Sequence, residues 1–321
     1  VTAVQEQLRG TGDAVRSGLV GLGELAGDVA VTSGDVPLLT GDTLRGLVEA
    51  HRGEGNAVTV LTTIAADPTG YGRIVRDGGE VTRIGEQRDA GETARAATEV
   101  NAGIDVFDAQ VLQAGIADLS DDNAQGELYL TDVIGFARGL GRRVGGSVLT
   151  DALQAEGVND RIQLAALSTE LNRRILRRWM AEGVTVIDPA STWVHDSVDL
   201  APDVTLLPGT SLEGATSIAS GAVIGPDTTL IDVEVDEGAH VVRTHATLAV
   251  IGPNAEVGPF SYLRPGTQLG VKGKIGAFVE TKNATIGDGA KVPHLTYCGD
   301  ATVGEGANIG AGTIFANYDG V

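Results

Sequence analysis

The sequence predicts an α/β protein in two parts, a partial Rossmann-like domain and a parallel β-helix of hexapeptide repeats, joined by a long linker helix. Three observations carry this prediction. Strand and helix patterns alternate over residues 1–160, residues 161–182 contain neither Gly nor Pro, and a six-residue repeat begins at about Ile187. The predicted boundaries are therefore 1–160, 161–182 and 183–321.

The first part begins with the short apolar run Val29–Thr32, which stops at Gly34-Asp35. Thr40 is positioned to cap a helix that runs to about Arg52, and the β-branched run Val58–Thr63 follows. This alternation predicts a mostly parallel sheet with helices on both faces. Ligands of such sheets bind at the carboxyl ends of the strands, where Asp35 is expected to lie after a buried strand.

The predicted linker helix carries apolar residues at helical spacing from Ile162 to Leu176. Its second half is crowded with four arginines. They can form either a partner site or a solvated helix face near the C-terminal end of the dipole. The four are Arg173, Arg174, Arg177 and Arg178.

The last part repeats an apolar residue every six positions, and many of these residues are followed by Gly. This hexapeptide pattern is typical of a β-helix, in which each apolar residue points into a triangular coil. The turns are expected to take Gly, Asp and Asn. The residues in phase are Leu212, Ile218, Ile224 and Leu230, then Ile251, Val257, Leu263, Leu269 and Ile275, with Ile286–Val292 and Val303–Ile309 as further pairs.

Composition limits the partners and the compartment. The 321 residues carry a formal net charge of −20, which disfavours nucleic acid and anionic membranes as partners. Cys298 is the single cysteine, so an internal disulfide is impossible and a reducing, cytoplasmic compartment is expected. The chain begins with Val1 and ends at Val321 in mid-repeat, and we expect it to be truncated at both ends.

Several residues suggest chemistry when they are taken singly. The turn Gly10-Thr11-Gly12 precedes a helix, so its backbone N–H groups can meet a base edge or a phosphate, or the turn is a plain loop. Asp35 is either an Mg²⁺ ligand or a turn cap. Asn159 completes a metal site with Asp35 or is an ordinary turn residue. His294 alone fits either a histidine whose hydrogen bonds are satisfied within the fold or a solvent-facing one.

Together, the motifs resemble those of the bifunctional N-acetylglucosamine-1-phosphate uridyltransferase / glucosamine-1-phosphate N-acetyltransferase family, over essentially the whole chain. The α/β part contributes SGDVPL (33–38), GYGRIV (70–75), EVNAG (99–103), ELYLTD (127–132) and EGVN (156–159). The repeat part contributes LRPG (263–266), VETKN (279–283), HLTY (294–297), NIGAGT (308–313) and NYDG (317–320). The resemblance implies that the β-helix is left-handed and that the protein forms homotrimers in cell-wall precursor synthesis.

For the α/β part, the resemblance implies transfer of a uridylyl group from UTP to N-acetylglucosamine-1-phosphate, with release of pyrophosphate. Mg²⁺ would be held by Asp35 and Asn159. The other residues implied to bind the nucleotide or the sugar are Gln5, Gly10, Thr11, Ser33, Gly34, Gly72, Glu86 and Asn101.

For the β-helix part, it implies transfer of an acetyl group from acetyl-CoA to glucosamine-1-phosphate, with His294 as the general base. Arg264 and Lys282 would bind the substrate phosphate, and Tyr297 and Asn308 would orient the sugar. The implied acetyl-CoA residues are Ala311, Asn317 and Tyr318.

The chain departs from the family pattern in a few places. The family opens with a glycine-rich loop that grips the triphosphate, and no such loop lies within this sequence. Position 13 holds Asp where the family usually has His, and position 85 holds Gly. Two alternatives remain at this point: a monofunctional sugar-phosphate nucleotidyltransferase with a regulatory β-helix, and a non-catalytic trimeric scaffold.

Overall fold

The computed structural model describes residues 2–85 and 97–317. The chain divides into two compact units, Val1–Leu167 and Ser168–Val321. This division lies inside one helix, whereas the sequence predicts a three-part division at 160 and 182, which stays a prediction. Within the described residues, no helix combines the length and the apolar character needed to cross a membrane.

The first unit is a six-stranded sheet with helices. Its strands are β1 (Asp28–Thr32), β2 (Val58–Ile64), β3 (Arg73–Asp77), β4 (Glu80–Gly85), β5 (Glu99–Asp108) and β6 (Val144–Leu149). Its helices are α1 (Thr11–Leu19), α2 (Gly41–Glu54), α3 (Ala109–Asp118), α4 (Asp132–Gly139) and a 3-10 turn over Ala152–Ala155.

The sheet is mixed, so the prediction of a mostly parallel sheet is wrong. Its order is β4-β3-β5-β2-β6, with β1 also paired to β5. Strand β5 runs antiparallel to β1, β2 and β3, and among the described strands of this sheet only β2 and β6 pair in parallel. Strand β1 is half-exposed, not the buried strand that was expected before Asp35. Strand β5 lies between β1 and β2, two strands that share a direction, and no pattern in the sequence predicts this insertion.

Helices cover both faces of this sheet, as predicted. On one face, Val58 and Phe107 pack with residues of α3 and α4 such as Leu112 and Val133. On the other face, Ile104 and Val106 pack with Leu47 of α2. The two clusters fix which side chains of β5 point to which face, because successive side chains of a strand alternate.

Local capping explains where the helices begin. The Thr40 hydroxyl accepts a hydrogen bond of 3.2 Å from the N–H of Thr43, which confirms the predicted cap of α2. Helix α2 ends at Gly55, whose left-handed conformation (φ 65°) is the one that glycine adopts without strain. Helix α1 begins after Gly10, as the glycine turn predicts.

Helix α5 spans Arg161–Ala181, where the sequence predicts a helix over 161–182. In its second half, Arg173 and Arg174 both pair with Glu170, and Arg178 pairs with Asp196 and lies over the ring of Trp179. These pairs favour the structural interpretation of the arginine cluster over a partner site.

The second unit is a parallel β-solenoid of about seven coils, consistent with the predicted left-handed β-helix. Three seven-stranded sheets form its sides. The first contains β7 (Thr185–Val186), β10 (Thr205–Leu206), β13 (Val223–Ile224), β16 (His240–Val241), β19 (Glu256–Val257), β22 (Lys274–Ala277) and β25 (Lys291–His294). The second contains β8 (Trp193–Val194), β11 (Thr210–Glu213), β14 (Thr228–Ile231), β17 (Thr244–Thr247), β20 (Ser261–Leu263), β23 (Glu280–Lys282) and β26 (Tyr297–Gly299). The third contains β9 (Asp199–Leu200), β12 (Ser217–Ile218), β15 (Glu234–Val235), β18 (Val250–Ile251), β21 (Gln268–Leu269), β24 (Thr285–Ile286) and β27 (Thr302–Val303).

The hexapeptide prediction is confirmed in register. Leu212, Ile218, Ile224 and Leu230 lie on β11, β12, β13 and β14, so each repeat moves the chain to the next side of the coil. All four are at most 2% exposed, and each coil stacks its apolar residue on that of the previous coil. Burial of this continuous column stabilises the solenoid, since no single coil can bury its own inward side.

Many corners are occupied by Gly, Asp or Asn, as predicted, but other residue types also occur among those described. Among the left-handed non-glycine positions, six are Arg, Leu, Lys or Phe. The coil fixes these corners through hydrogen bonds to the previous coil, such as the N–H of Phe260 to the carbonyl of Arg243 at 2.7 Å. The six are Arg243, Leu248, Phe260, Lys272, Phe278 and Leu295.

Candidate active sites

Five of the predicted site residues converge on one cleft of the first unit, about 460 Å³ in volume, which we call the N-terminal cleft. It lies where β1 ends, beside the loop before β3 and the segment before α5. The five are Ser33, Asp35, Gly72, Asn101 and Asn159. They come from four separate stretches of sequence, so their meeting here is a result of the fold.

Asp35 and the segment before α5 are held together by their backbones. The N–H of Val158 donates a hydrogen bond of 2.9 Å to the carbonyl of Asp35. The Asp35 carboxylate lies against Gly157, where a Cβ would stand 3.1 Å from Oδ2. Asn159 follows two residues later and lines the same cleft.

This donor set fits Mg²⁺ better than a softer metal. The two predicted ligands offer a carboxylate and an amide oxygen, and Mg²⁺ is commonly held by one or two such groups together with water and substrate phosphates. Within the described residues no cluster of three or more His, Cys, Asp or Glu side chains is arranged to hold a metal. A site built here would therefore depend on oxygen atoms of the substrate.

The loop that carries Gly72 is fixed from two directions. The N–H of Asn101 donates to the carbonyl of Gly72 at 2.8 Å, and the Asn101 Oδ1 accepts from the N–H of Gly103 at 3.0 Å. The guanidinium of Arg73, which is 4% exposed, donates to the carbonyls of Tyr71 (2.7 Å) and Pro68. Sequence analysis did not single out Arg73, although its position inside GYGRIV was a usable signal.

The glycine turn before α1 packs tightly on the chain near Leu128. The N–H of Gly12 donates to the carbonyl of Leu128 at 2.8 Å, and a Cβ on Gly10 would stand 2.6 Å from the same oxygen. The N–H of Gly12 is therefore not available to a base edge or a phosphate, which corrects part of that hypothesis. The hydroxyl of Thr11 accepts from the N–H of Leu130 at 3.1 Å.

Gln5 is oriented by Asp13, the residue that departs from the family pattern. The Gln5 Nε2 donates to Asp13 Oδ2 at 2.8 Å and to the carbonyl of Gly10 at 3.3 Å. The hydrogen bond from Gln5 and the nearby Arg16 lower the pKa of Asp13, so it stays ionised. Gly34 lies between Ser33 and Asp35, which both line the N-terminal cleft. Glu86 lies outside the described residues.

A second cavity of about 330 Å³ lies between α1, β1 and β5 and shares Ser33, Asn101 and Gly103 with the N-terminal cleft. Asp105 lines it and is 4% exposed. Sequence analysis missed this residue, although an Asp inside the apolar run Ile104-Asp105-Val106-Phe107 was a signal.

In the second unit, His294 ends β25 and Tyr297 begins β26, so they flank one corner of the same coil. His294 is exposed and does not point into the interior of the coil, while Tyr297 is half-buried. The imidazole is therefore accessible to a ligand, as a general base requires.

Two cations occupy equivalent positions on neighbouring coils beside Tyr297. Leu263 pairs with Thr281, so Arg264 and Lys282, which follow them, stack one strand spacing apart. Arg264 pairs with Glu280 at 3.0 Å and Lys282 with Asp300 at 3.1 Å. Both side chains are about 40% exposed, so an incoming phosphate can compete for them.

The ring of Tyr297 lies across a glycine. A Cβ on Gly299 would stand 2.2 Å from the Tyr297 hydroxyl, so the ring orientation requires Gly at position 299. Cys298 between them is fully buried, and burial raises the pKa of its thiol. This suits the predicted packing role and not a nucleophile.

The remaining predicted residues lie on the next coil. Asn308 bridges to Lys291 on the side that carries His294, and Ala311 is exposed three residues further on. The Asn317 Nδ2 donates to the carbonyls of Gly299 (2.8 Å) and Asp300 (2.9 Å), which draws this segment over the coil of Tyr297. Tyr318 lies outside the described residues.

A mixed α/β unit with a polar cleft, followed by a hexapeptide solenoid, defines a class of protein: a nucleotidyltransferase-type domain joined to a β-helix. The family model described as "Nucleotidyl transferase" matches residues 1–143. Curated relatives named "Bifunctional protein GlmU" are similar to nearly the whole chain. That of Kineococcus radiotolerans is 57% identical over all of this chain and 66% of the relative, and that of Mycolicibacterium vanbaalenii is 58% identical over 99% and 65%.

The relative from Pseudarthrobacter chlorophenolicus is 58% identical over 98% of this chain and 65% of its own length. Along nearly its whole length the chain is similar to the proteins of this name. It spans slightly less than two thirds of the length of these relatives.

Proposed function

We propose that the chain belongs to an enzyme that makes UDP-N-acetylglucosamine in two steps, acetyl transfer and then uridylyl transfer. The observation that carries the proposal is the convergence of Ser33, Asp35, Gly72, Asn101 and Asn159 on the N-terminal cleft. In the resembled family, the residues of one substrate site come from the same four stretches of sequence as these five residues. The identity of the relatives along both units supports the pairing of the two activities.

In the uridylyl step, a phosphate oxygen of N-acetylglucosamine-1-phosphate attacks the α-phosphorus of UTP, and pyrophosphate leaves. Such a reaction depends chiefly on positioning and on neutralisation of charge. Asn101 and the backbone at Gly72 hold the sugar, and Gln5 with the turn at Gly10 and Thr11 holds the uracil. Asp35 and Asn159 would hold Mg²⁺, which would neutralise charge on the phosphates when bound.

In the acetyl step, His294 accepts a proton from the ammonium group of glucosamine-1-phosphate. The free amine then attacks the thioester carbonyl of acetyl-CoA, and the thiolate of CoA leaves and is protonated. Arg264 and Lys282 bind the phosphate of the sugar, because their stacked positions offer two cations on an otherwise acidic protein. Tyr297 and Asn308 orient the ring, and Ala311, Asn317 and Tyr318 belong to the acetyl-CoA site.

We further propose a cytoplasmic homotrimer. An exposed apolar corner adjoins His294, with Phe260, Phe278 and Leu295 exposed by 52%, 59% and 63%. The rings of Phe260 and Phe278 stack with centroids 5.2 Å apart. Packing around a three-fold axis would cover this corner next to the acetyl-transfer residues. Light scattering on the purified protein tests it, and a monomeric mass contradicts it.

The two activities are tested separately by single substitutions in the intact protein. His294→Ala should abolish acetyl transfer and leave uridylyl transfer unchanged, and Asp35→Asn should do the reverse. The matched controls are His240→Ala, an exposed histidine on the same side of the solenoid, and the exposed Asp42→Asn. Full acetyl transfer in His294→Ala would contradict the role of His294 as general base. Full uridylyl transfer in Asp35→Asn would contradict the assignment of the N-terminal cleft as the uridylyl-transfer site.

A further inference from the structure

Asp105 is a buried carboxyl group with nothing in the described residues to satisfy it. The residue is 4% exposed, and its Oδ1 has no hydrogen-bond partner there. Burial raises the pKa of Asp105 to about 7, and no neighbouring charge contributes to that shift. An unpaired buried polar group destabilises a fold, so its presence at this position suggests a function.

The register of β5 explains why this side chain points where it does. Asp105 pairs with Val31 of β1 and with Val60 of β2. Its neighbours Ile104 and Val106 point to the face covered by α2, so Asp105 points to the other face, beside α1. The side chain therefore meets the 330 Å³ cavity and not the apolar contacts of α2.

The lining of this cavity indicates what it accepts. Thr11, Ser33, Asn101 and Thr131 line it together with Asp105. None of these side chains is a cation, so the cavity favours neutral polar groups, and the carboxyl of Asp105 disfavours a phosphate. Ser33 and Asn101 also line the N-terminal cleft, so one ligand can reach both spaces.

We propose that Asp105 is a further substrate-binding residue, whose carboxyl group forms a hydrogen bond with a hydroxyl or amide N–H group of the amino sugar. This inference rests on the proposed function. The amino sugar is favoured over the ribose of the nucleotide because Asn101, which is proposed to bind the sugar, lies four positions before Asp105 on the same face of β5 and lines both spaces. The ligand thereby supplies the partner that the protein lacks.

The test compares Asp105→Leu and Asp105→Asn with the wild type in the intact protein. Steady-state uridylyl transfer gives the KM for N-acetylglucosamine-1-phosphate and for UTP, and thermal unfolding without substrate gives the Tm. We expect Asp105→Leu to raise the KM for the sugar phosphate about tenfold, leave the KM for UTP unchanged and raise the Tm. Asp105→Asn keeps hydrogen-bonding capacity and should change the sugar KM by less than about threefold.

Val106→Ala is the matched control, because it lowers stability from the opposite face of β5 without touching the cavity. It should lower the Tm and leave both KM values unchanged. If Asp105→Leu and Asp105→Asn both keep the wild-type KM for the sugar phosphate, Asp105 has only a structural role and the inference is overturned. A rise confined to the KM for UTP assigns the contact to the ribose and overturns it as well. Absence of any uridylyl transfer in the wild type would instead count against the proposed function itself.

Discussion

The carboxylate of Asp35 lies directly against Gly157, so that a Cβ at position 157 would stand 3.1 Å from Asp35 Oδ2. The backbone hydrogen bond from Val158 to the Asp35 carbonyl holds the two segments in this arrangement at 2.9 Å. The proposed metal ligands Asp35 and Asn159 therefore line the same cleft because Asp35 packs against position 157. Any residue larger than glycine at that position would crowd the Asp35 carboxylate.

Gly157→Ala should impair uridylyl transfer selectively. The added methyl group displaces the Asp35 carboxylate by a few tenths of an ångström, and we expect kcat/KM to fall about tenfold. The Mg²⁺ concentration needed for half-maximal rate should rise. Gly135→Ala is the matched control, since a Cβ there meets nothing within 4 Å. An unchanged Mg²⁺ dependence in Gly157→Ala would argue against Asp35 as a ligand.

Arg73→Met should loosen the loop that carries Gly72. The substitution leaves the carbonyls of Pro68 and Tyr71 without their buried donor, and we expect a loss of about 1–3 kcal/mol in the free energy of unfolding. The KM for the sugar phosphate should rise more than kcat falls, because Arg73 positions a binding loop. Kinetics and urea unfolding measure both effects, with the exposed Arg83→Met as control. Equal KM values in Arg73→Met and the wild type would contradict the positioning role.

The sequence predicts the solenoid better than the sheet, because the solenoid depends on a local repeat and the sheet depends on pairing between distant strands. Leu212 and Ile218 mark the solenoid through a period that is visible within a few residues, and their burial depends on the adjacent coils. Strand β5 instead pairs with β1 and β2 across tens of residues. No local pattern reveals that pairing, so the sheet was predicted as mostly parallel.

The candidate sites follow the same division. Asp35, Asn159 and His294 were predicted through their resemblance to a family, and single-residue reasoning left each of them ambiguous. Arg73 and Asp105 were missed because their significance lies in burial: one has partners on a loop, and the other has an oxygen without any partner in the described residues. Burial of a charged group is a property of the fold, and the sequence neighbours of these two residues indicate it only indirectly.

Gly299→Ala should affect only acetyl transfer. Because a Cβ at this position would stand 2.2 Å from the Tyr297 hydroxyl, the ring must leave its position over Gly299, the residue that pairs with Lys282. We expect kcat/KM for glucosamine-1-phosphate to fall by about tenfold to a hundredfold, with uridylyl transfer intact. Gly135→Ala, on a helix of the first unit, is the control for an added methyl group, since a Cβ there meets nothing within 4 Å. Should Gly299→Ala acetylate at the wild-type rate, the orientation of Tyr297 would have no part in the reaction.

The stability of the first unit should depend on pH through Asp105. Its pKa is about 7 in the folded protein, against about 3.9 for an aspartate in an unfolded chain. Between these two values the folded state binds more protons than the unfolded state, so the free energy of unfolding falls as the pH rises from about 4 to about 7. The loss is at most about 4 kcal/mol and is complete above the folded pKa.

Asp105→Asn isolates this effect, because asparagine does not titrate and every other group cancels in the difference between variant and wild type. We expect the stability of Asp105→Asn relative to the wild type to increase from about pH 4 to about pH 7 and then to level off. Urea unfolding should be followed by circular dichroism, since Trp179 and Trp193, the two tryptophans, both belong to the second unit and do not report on β5. A difference that stays constant with pH would mean that the Asp105 carboxyl ionises normally in the folded protein and has a partner that these contacts do not include.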